Sequence, residues 1–409
     1  MVWRWLTSRT FRQAMELHRH VASLFRSQQD LLVADGLEAV RDALDQLREC
    51  WRAGGDKDAL RAAMRDLRAA SDEWLVDPSK SMVRELAEML LVALTVVLAL
   101  QSFFLRPMAI PTGSMQPTLY GITLEDLREK RDVRIPGFLR RLFERCFLGR
   151  AYYHIVATAP GQLVRIDPPE PIVPHFRLLP FLTKQRFQVG DVTYTIWFPP
   201  RDLPIVSSAN PDHLFLFYAG VKPHRSFQRG EDIVRLAVNT GDHVLVDRFT
   251  YNFRRPQRGE IVVFRTKGIP AIPQETHYIK RLVALGGEKV RIGNDRHLVI
   301  DGRRLDATTR HFDNVYNFFG RPQENRYSGH LNDYVARKEG GMVSGTLAPL
   351  FAREQTEFQV RRGYLMVMGD NTMNSSDGRA WGDFPQENVI GRYLAVYWPM
   401  GRRFGWGQD

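Results

Sequence analysis

Cysteine is scarce in this chain. Two occur in 409 residues, Cys50 and Cys146, one on either side of the one long apolar run, a placement that argues against a disulfide between them. C-x-x-C, paired Cys/His spacing and H-E-x-x-H are all absent, and the eleven histidines are scattered, so zinc chemistry has no motif to rest on. No Ser/His/Asp motif, helix-turn-helix signature or internal repeat is visible. Acidic residues also fall short: 46 against 57 basic ones leaves a formal charge of +11. That surplus fits nucleic-acid binding or contact with anionic lipid headgroups, and charge alone does not choose between them. An apolar content of 44% excludes a disordered or fibrous protein and allows one large domain or two ordinary ones with a buried core.

Residues 1–80 are rich in Arg, Leu, Ala, Glu and Asp. Apolar residues recur there at helical spacing, as in Leu32, Ala39, Val40, Leu44 and Leu47, which predicts two or three amphipathic helices broken near Gly54 and Gly55. A small solvated bundle or coiled hairpin accounts for this pattern, and a partner-binding module is the alternative. Residues 86–105 then read LAEMLLVALTVVLALQSFFL with Glu88 as the single charge. Twenty helical residues rise about 30 Å, the thickness of a bilayer's hydrocarbon core, so a transmembrane helix is expected; a buried core helix is the alternative. About 85 residues precede the run, which argues against a cleavable signal peptide. Basic residues flank both ends, so charge bias does not orient the segment.

From residue 106 to residue 409 the pattern changes to short runs rich in Val, Ile, Phe and Tyr, such as HVLVDRF, EIVVFRT, HLVIDG, YLMVMGD and YLAVYW. Their alternation, bounded by Gly, Asp and Pro, predicts a mainly β, antiparallel domain. Two stretches interrupt it, at about 120–230 and 306–356. The tail WPMGRRFGWGQD combines Trp and Arg, residues that suit the headgroup zone, although an ordinary terminal strand would read the same way.

Pro111, Thr112, Gly113, Ser114, Met115, Gln116, Pro117, Thr118 and Leu119 follow the apolar run directly. A serine after glycine and before a proline-bounded turn sits on a tight loop, and alone it would be a turn serine. Three later blocks change that reading: GDHVLVDRFTY followed by RRPQRGEIVVFR, YIKRLVALGGEKV carrying Lys280, and MGDNTMNSSDGRAWG spanning Met368–Gly382. In this order the four blocks resemble the type I signal peptidases of bacteria and organelles, over about 103–121, 241–290 and 363–397.

The resemblance implies a signal-peptidase-like antiparallel β catalytic domain behind one membrane helix, with Ser114 as nucleophile and Lys280 as general base and no cofactor. A lysine can act as a base only when neutral, and burial in an apolar site lowers its pKa; the run Leu282, Val283, Ala284 beside Lys280 suits such burial. Ser375 matches the serine that orients the lysine. Thr112 and the backbone N–H of Ser114 match the oxyanion hole. Asp377 and Arg379 match a structural ion pair, and Asp370 and Asn371 shape the turn before it; Gly378 stands where many relatives have serine. Ile110, Met115 and Tyr278 are pocket candidates for a peptide with small residues before the cut. The implied partners are preprotein signal peptides and the lipid bilayer, with no nucleic acid; what the N-terminal helices contact is left open. The implied location is the inner cell membrane, single-pass, with the β domain extracytoplasmic. An endoplasmic-reticulum-type enzyme would carry histidine in place of Lys280. The rivals are an inactive scaffold, against which Ser114, Lys280 and Ser375 stand jointly, and a self-cleaving repressor-type protease, against which the apolar run stands. The insertions could lid the site, widen a docking surface or decorate the fold.

Overall fold

The structure, a computed structural model, describes residues 9–54, 56–76, 82–130, 132–167, 173–176, 179–199, 219, 225–317, 328–339 and 347–407. It divides into two units, Met1–Leu98 and Ala99–Asp409.

Three helices, Arg9–Gln28, Ala34–Arg52 and Lys57–Trp74, make up the first part of the N-terminal unit. Each buries one apolar stripe, and Phe11, Val21, Val40, Leu47, Leu60 and Leu67 meet in a common core, as amphipathic spacing requires. The break at 53–56 is closed by Asp56, whose carboxylate accepts from the Ala59 N–H at 2.8 Å and caps the third helix.

Helix Met82–Phe103 differs in kind. Over Glu85–Phe103 it is long and apolar enough to cross a membrane, and none of that window is buried in protein. Its limits differ from the 86–105 read from hydropathy. The helix begins earlier and stops at Phe103, because Leu105 already pairs with Asp247 in the strand Leu105–Ala109; cross-strand hydrogen bonding there overrides the apolar run.

The larger unit is built from antiparallel sheets. Its main sheet, eight strands among the described residues, runs in the order Leu105–Ala109, His243–Asp247, Val389–Trp398, Ile261–Arg265, His277–Leu285, Tyr364–Met368 and Phe384–Pro385, with Gly405–Trp406 added on Val389–Trp398. The apolar alternation in these runs supplies the buried residues on either side, Val244, Val246 and Val263 in one core and Val262, Phe264 and Leu282 in another.

The first insertion folds into sheets of its own. Thr123–Asp126 and Arg150–Val156 flank Asp232–Asn239, and Gly161–Asp167, Val173–Phe176, Leu179–Val189, Val192–Trp197 and Ser226–Phe227 form a second sheet, around a core that includes Phe187, Phe227 and Val234. The second insertion contributes short helices, Asp313–Tyr316 and Asp333–Glu339, and buries Phe312, Val315 and Tyr316 against the Val290 and Ile292 strand. The tail is tied in by Arg403, which donates to both Asp242 oxygens at 2.7 and 2.9 Å.

Gly241 lets the strand entering the serine loop pass close to its neighbour, for a Cβ there would lie 1.7 Å from the Ile110 carbonyl oxygen. Gly241→Ala is therefore expected to destabilise the larger unit by roughly 1–3 kcal/mol or more, read as a lowered urea midpoint, while helix content of the N-terminal unit is retained.

Candidate active site

The serine loop is held from below by its own apolar residues. Met115 and Leu119 are fully buried with Ile110, Val244 and Val396, and the Leu119 N–H donates to Met115 O at 2.9 Å. Met115 thus belongs to the core and not to the pocket expected of it: Ser114 lines the cleft, whereas Met115 packs into the apolar cluster on the other side of the turn. From above, the loop is held by Asn371, whose backbone N–H donates to Ser114 O at 3.0 Å and whose side-chain amide donates to Gly113 O at 2.9 Å. Gly369 permits that approach, since a Cβ would sit 2.5 Å from Ser114 O and 2.2 Å from Ser375 Oγ.

Lys280 lies in the middle of the strand His277–Leu285, opposite Val262, and is only 4% exposed. Its Nζ donates to Ser114 Oγ at 2.7 Å and to Ile279 O at 3.1 Å. Burial pulls the amine down from 10.5 to about 8, with Asp377 and Asp370 partly opposing and Arg379 assisting. An amine and a hydroxyl at this distance can exchange donor and acceptor roles once the amine is neutral. Thr112 Oγ1 stands 3.5 Å from Ser114 Oγ.

Two buried ion pairs frame this dyad. Arg379 and Asp377 are both 0% exposed; the guanidinium donates to Asp377 Oδ1 and Oδ2, each at 2.9 Å, and to Thr372 Oγ1 at 2.7 Å. Burial pushes the Asp377 carboxyl up, but Arg379 and the Gly369 N–H hold it below its ordinary value. Arg281, next to Lys280 in sequence, donates to Asp370 at 2.8 and 2.6 Å, and Asp370 also accepts from Thr118 Oγ1 at 2.5 Å. Asp370 therefore ties the lysine strand to the serine loop. The bond expected between Ser375 and Lys280 is not formed: Ser375 Oγ faces the Asp377 carboxylate but meets no partner in hydrogen-bond geometry, because the lysine amine is turned toward Ser114 and the Ile279 carbonyl.

A cleft of about 680 Å³ opens over the dyad. Ser114, Thr112 and Lys280 line it together with Met108, Ala109, Ile110, Val263, Tyr278, Asn374 and Ser376. Ile110 and Tyr278 fall where pocket residues were expected. Arg281, Thr118 and the clamp made by Asn371 were not singled out by sequence reasoning for these roles; the Arg directly after Lys280 was the one signal available.

The profile of the family described as "Signal peptidase, peptidase S26" matches residues 231–398. Over those residues the chain is similar to the peptidase S26 family. The S26 region is 28% identical over 197 residues to signal peptidase I of Pseudomonas fluorescens, covering 42% of this chain and 65% of that protein. It is 29% identical over 181 residues to signal peptidase I of Aquifex aeolicus, 39% of this chain and 69% of that one. Thylakoidal processing peptidase 1 of Arabidopsis thaliana is 28% identical over 170 residues, 40% of this chain and 38% of the relative. The chain thus spans less than two thirds of the Pseudomonas fluorescens relative's length. A crystal structure of a signal peptidase I from Enterococcus faecalis aligns at 26% identity over 34% of this chain and 97% of that one with a TM-score of 0.20, too low for an argument about shape.

Removing one member of a fully buried pair leaves the other charge uncompensated. Asp377→Asn is expected to cost the S26 domain about 3–5 kcal/mol in urea unfolding, and in protein that remains folded the amine of Lys280 should titrate at lower pH, because the carboxylate that raises it is gone.

Proposed function

We propose that this protein is a membrane-anchored serine endopeptidase that removes N-terminal signal peptides from exported preproteins, with Ser114 as nucleophile and Lys280 as general base. The observation that carries the reading is the buried 2.7 Å contact between Lys280 Nζ and Ser114 Oγ at the floor of a cleft in an S26 domain. Relatives at 28–29% identity bear the name signal peptidase I.

The geometry supports the following chemistry. Ser114 Oγ attacks the carbonyl carbon of the small residue that precedes the scissile C–N bond, while its proton passes to the neutral Lys280 amine. The oxyanion is met by the Ser114 N–H and the Thr112 hydroxyl, and the ammonium of Lys280 then gives its proton to the departing amine nitrogen. Water, deprotonated by Lys280, releases the acyl group and restores both residues. Within the described residues Leu105–Ala109 is an edge strand with a single partner, and its Met108 and Ala109 face the cleft. An extended peptide can add to that edge, with small side chains fitting against Ile110 and Tyr278. Ser114 follows the apolar helix by eleven residues, which keeps it near the depth where a membrane-spanning signal peptide ends. In this reading the N-terminal helices are cytoplasmic and the S26 domain is on the outer side of the inner membrane.

The test is cleavage of a preprotein with an Ala-x-Ala site by full-length protein in liposomes, followed by mass spectrometry. Wild type should cut after the second small residue. Ser114→Ala and Lys280→Ala should each lose roughly 10⁴-fold or more of kcat, as in other dyad and triad knockouts. A folded wild type that leaves several such preproteins intact would sink the proposal.

The pH dependence has a defined sign. The base must be neutral, so kcat/KM should climb through an apparent pKa near 8 and level off above it. For stability, Lys280 binds its proton less readily when folded, so the penalty is fully present below pH 8 and is relieved as pH rises from 8 to 10.5. Lys280→Met should abolish turnover yet raise unfolding free energy at pH 7 by up to about 3 kcal/mol, a gain that shrinks toward pH 10.5 in parallel denaturant titrations.

A further inference from the structure

Within the first insertion, helix Phe138–Phe147 is packed inside out. At about 3.6 residues per turn, Phe138, Leu139, Leu142, Phe143, Cys146 and Phe147 share one half of its circumference, and Glu144 sits near the middle of the other half. A helix docked by the hydrophobic effect turns the apolar half inward. Here the single buried residue is Glu144, whose carboxylate accepts from Tyr152 Oη at 2.7 Å and from Arg140 Nε at 2.9 Å. The five large apolar side chains on the outer half are 43–79% exposed.

The C-terminal tail extends the same surface. Trp398 Nε1 donates to Cys146 O at 2.7 Å and the Met400 N–H to Phe147 O at 2.8 Å, which satisfies carbonyls that a helix end leaves open. Met400, Phe404 and Trp406 on that tail are 50%, 51% and 77% exposed.

We propose that this helix, with the tail tied to its end, lies in the lipid interface as a second membrane contact of the protein. The rest of the helix is basic: Arg140 is bonded to Glu144, Arg145 lies over the Phe198 ring at 5.0 Å, the Arg141 side chain has no partner among the described residues, and the helix's one acid is already bonded inward. Such a helix suits anionic headgroups around a shallowly inserted apolar face, and Trp and Phe on the tail suit the same depth. The same chain carries a bare apolar helix of membrane-spanning length; the inference rests on the reading of that helix as the anchor.

Cys146 is exposed on the outer half and provides a native site for a spin label in a full-length Cys50→Ala variant. In vesicles of phosphatidylcholine and phosphatidylglycerol, the label should be reached more readily by oxygen than by a water-soluble nickel chelate. A label at Asp191→Cys, on an exposed turn, should show the reverse, with Cys146→Ser in that background. Leu142→Glu with Phe143→Glu should abolish the oxygen preference at Cys146 while circular dichroism stays unchanged. Free access of the chelate to wild-type Cys146 overturns the proposal. Exclusion of both reagents also overturns it, in favour of a protein partner or a second copy. A label at Thr95→Cys, with both native cysteines removed, checks the anchor separately: lipid protection at Thr95 with chelate access at Cys146 rejects the second contact alone, whereas chelate access at Thr95 rejects the anchor, whatever Cys146 reports.

Discussion

An amine deprived of water is the constraint on which the S26 domain turns. The base role proposed for Lys280 requires that it spend part of its time neutral, and a strand buried between Ile261–Arg265 and Tyr364–Met368 makes that possible by making the charged form expensive. The cost is borne by the fold and would be lost if water entered. The apolar packing of Leu282 on that strand with Val262 and Val367 on its neighbours is thus part of the proposed chemistry as well as of the stability. Its counterweights are Asp377 and Asp370, which keep the amine from falling further.

Both carboxylates have a second task, which explains why they are paired with arginine. Asp377 with Arg379 and Asp370 with Arg281 are buried hydrogen-bonded pairs, and pairs of this kind contribute more to specifying one arrangement than to net stability. Asp370 reaches Thr118 on the serine loop and Arg281 on the lysine strand at once. Asn371 closes the same loop from the other side. Ser114, held by backbone carbonyl contacts on one side and by buried Met115 and Leu119 on the other, has little freedom to drift from Lys280, which is what the proposed catalysis requires.

Several parts of this architecture were legible in residue pattern. Alternating runs such as HVLVDRF and EIVVFRT carry the antiparallel sheet, and amphipathic spacing around Val40, Leu44 and Leu47 carries the helical bundle. Other parts were not. The end of the apolar helix cannot be read from hydropathy, because Leu105 is as apolar as its predecessors and joins a strand only through its partner Asp247. Met115 reads as a pocket residue from its place beside the serine, yet the turn buries it. The pairing of the first insertion's strands cannot be read from the sequence, since a run such as YYHIVATA pairs with a segment far away, as Arg150–Val156 does with Asp232–Asn239.

By itself the sequence determined the local preferences and the chemical inventory: which runs favour strand or helix, one run able to span a bilayer, and a serine and a lysine within recognisable blocks. Tertiary structure alone decided the distances and the dielectric. Ser114 and Lys280 are 166 positions apart, and only the closing of one sheet brings them to 2.7 Å and strips the water from the amine. The same holds for helix Phe138–Phe147, whose amphipathic pattern says that one side is apolar, while its bonds to Tyr152, Trp398 and Met400 decide that this side faces outward. Periodicity describes a helix relative to its own axis, and which way that axis is turned depends on contacts made across the whole chain.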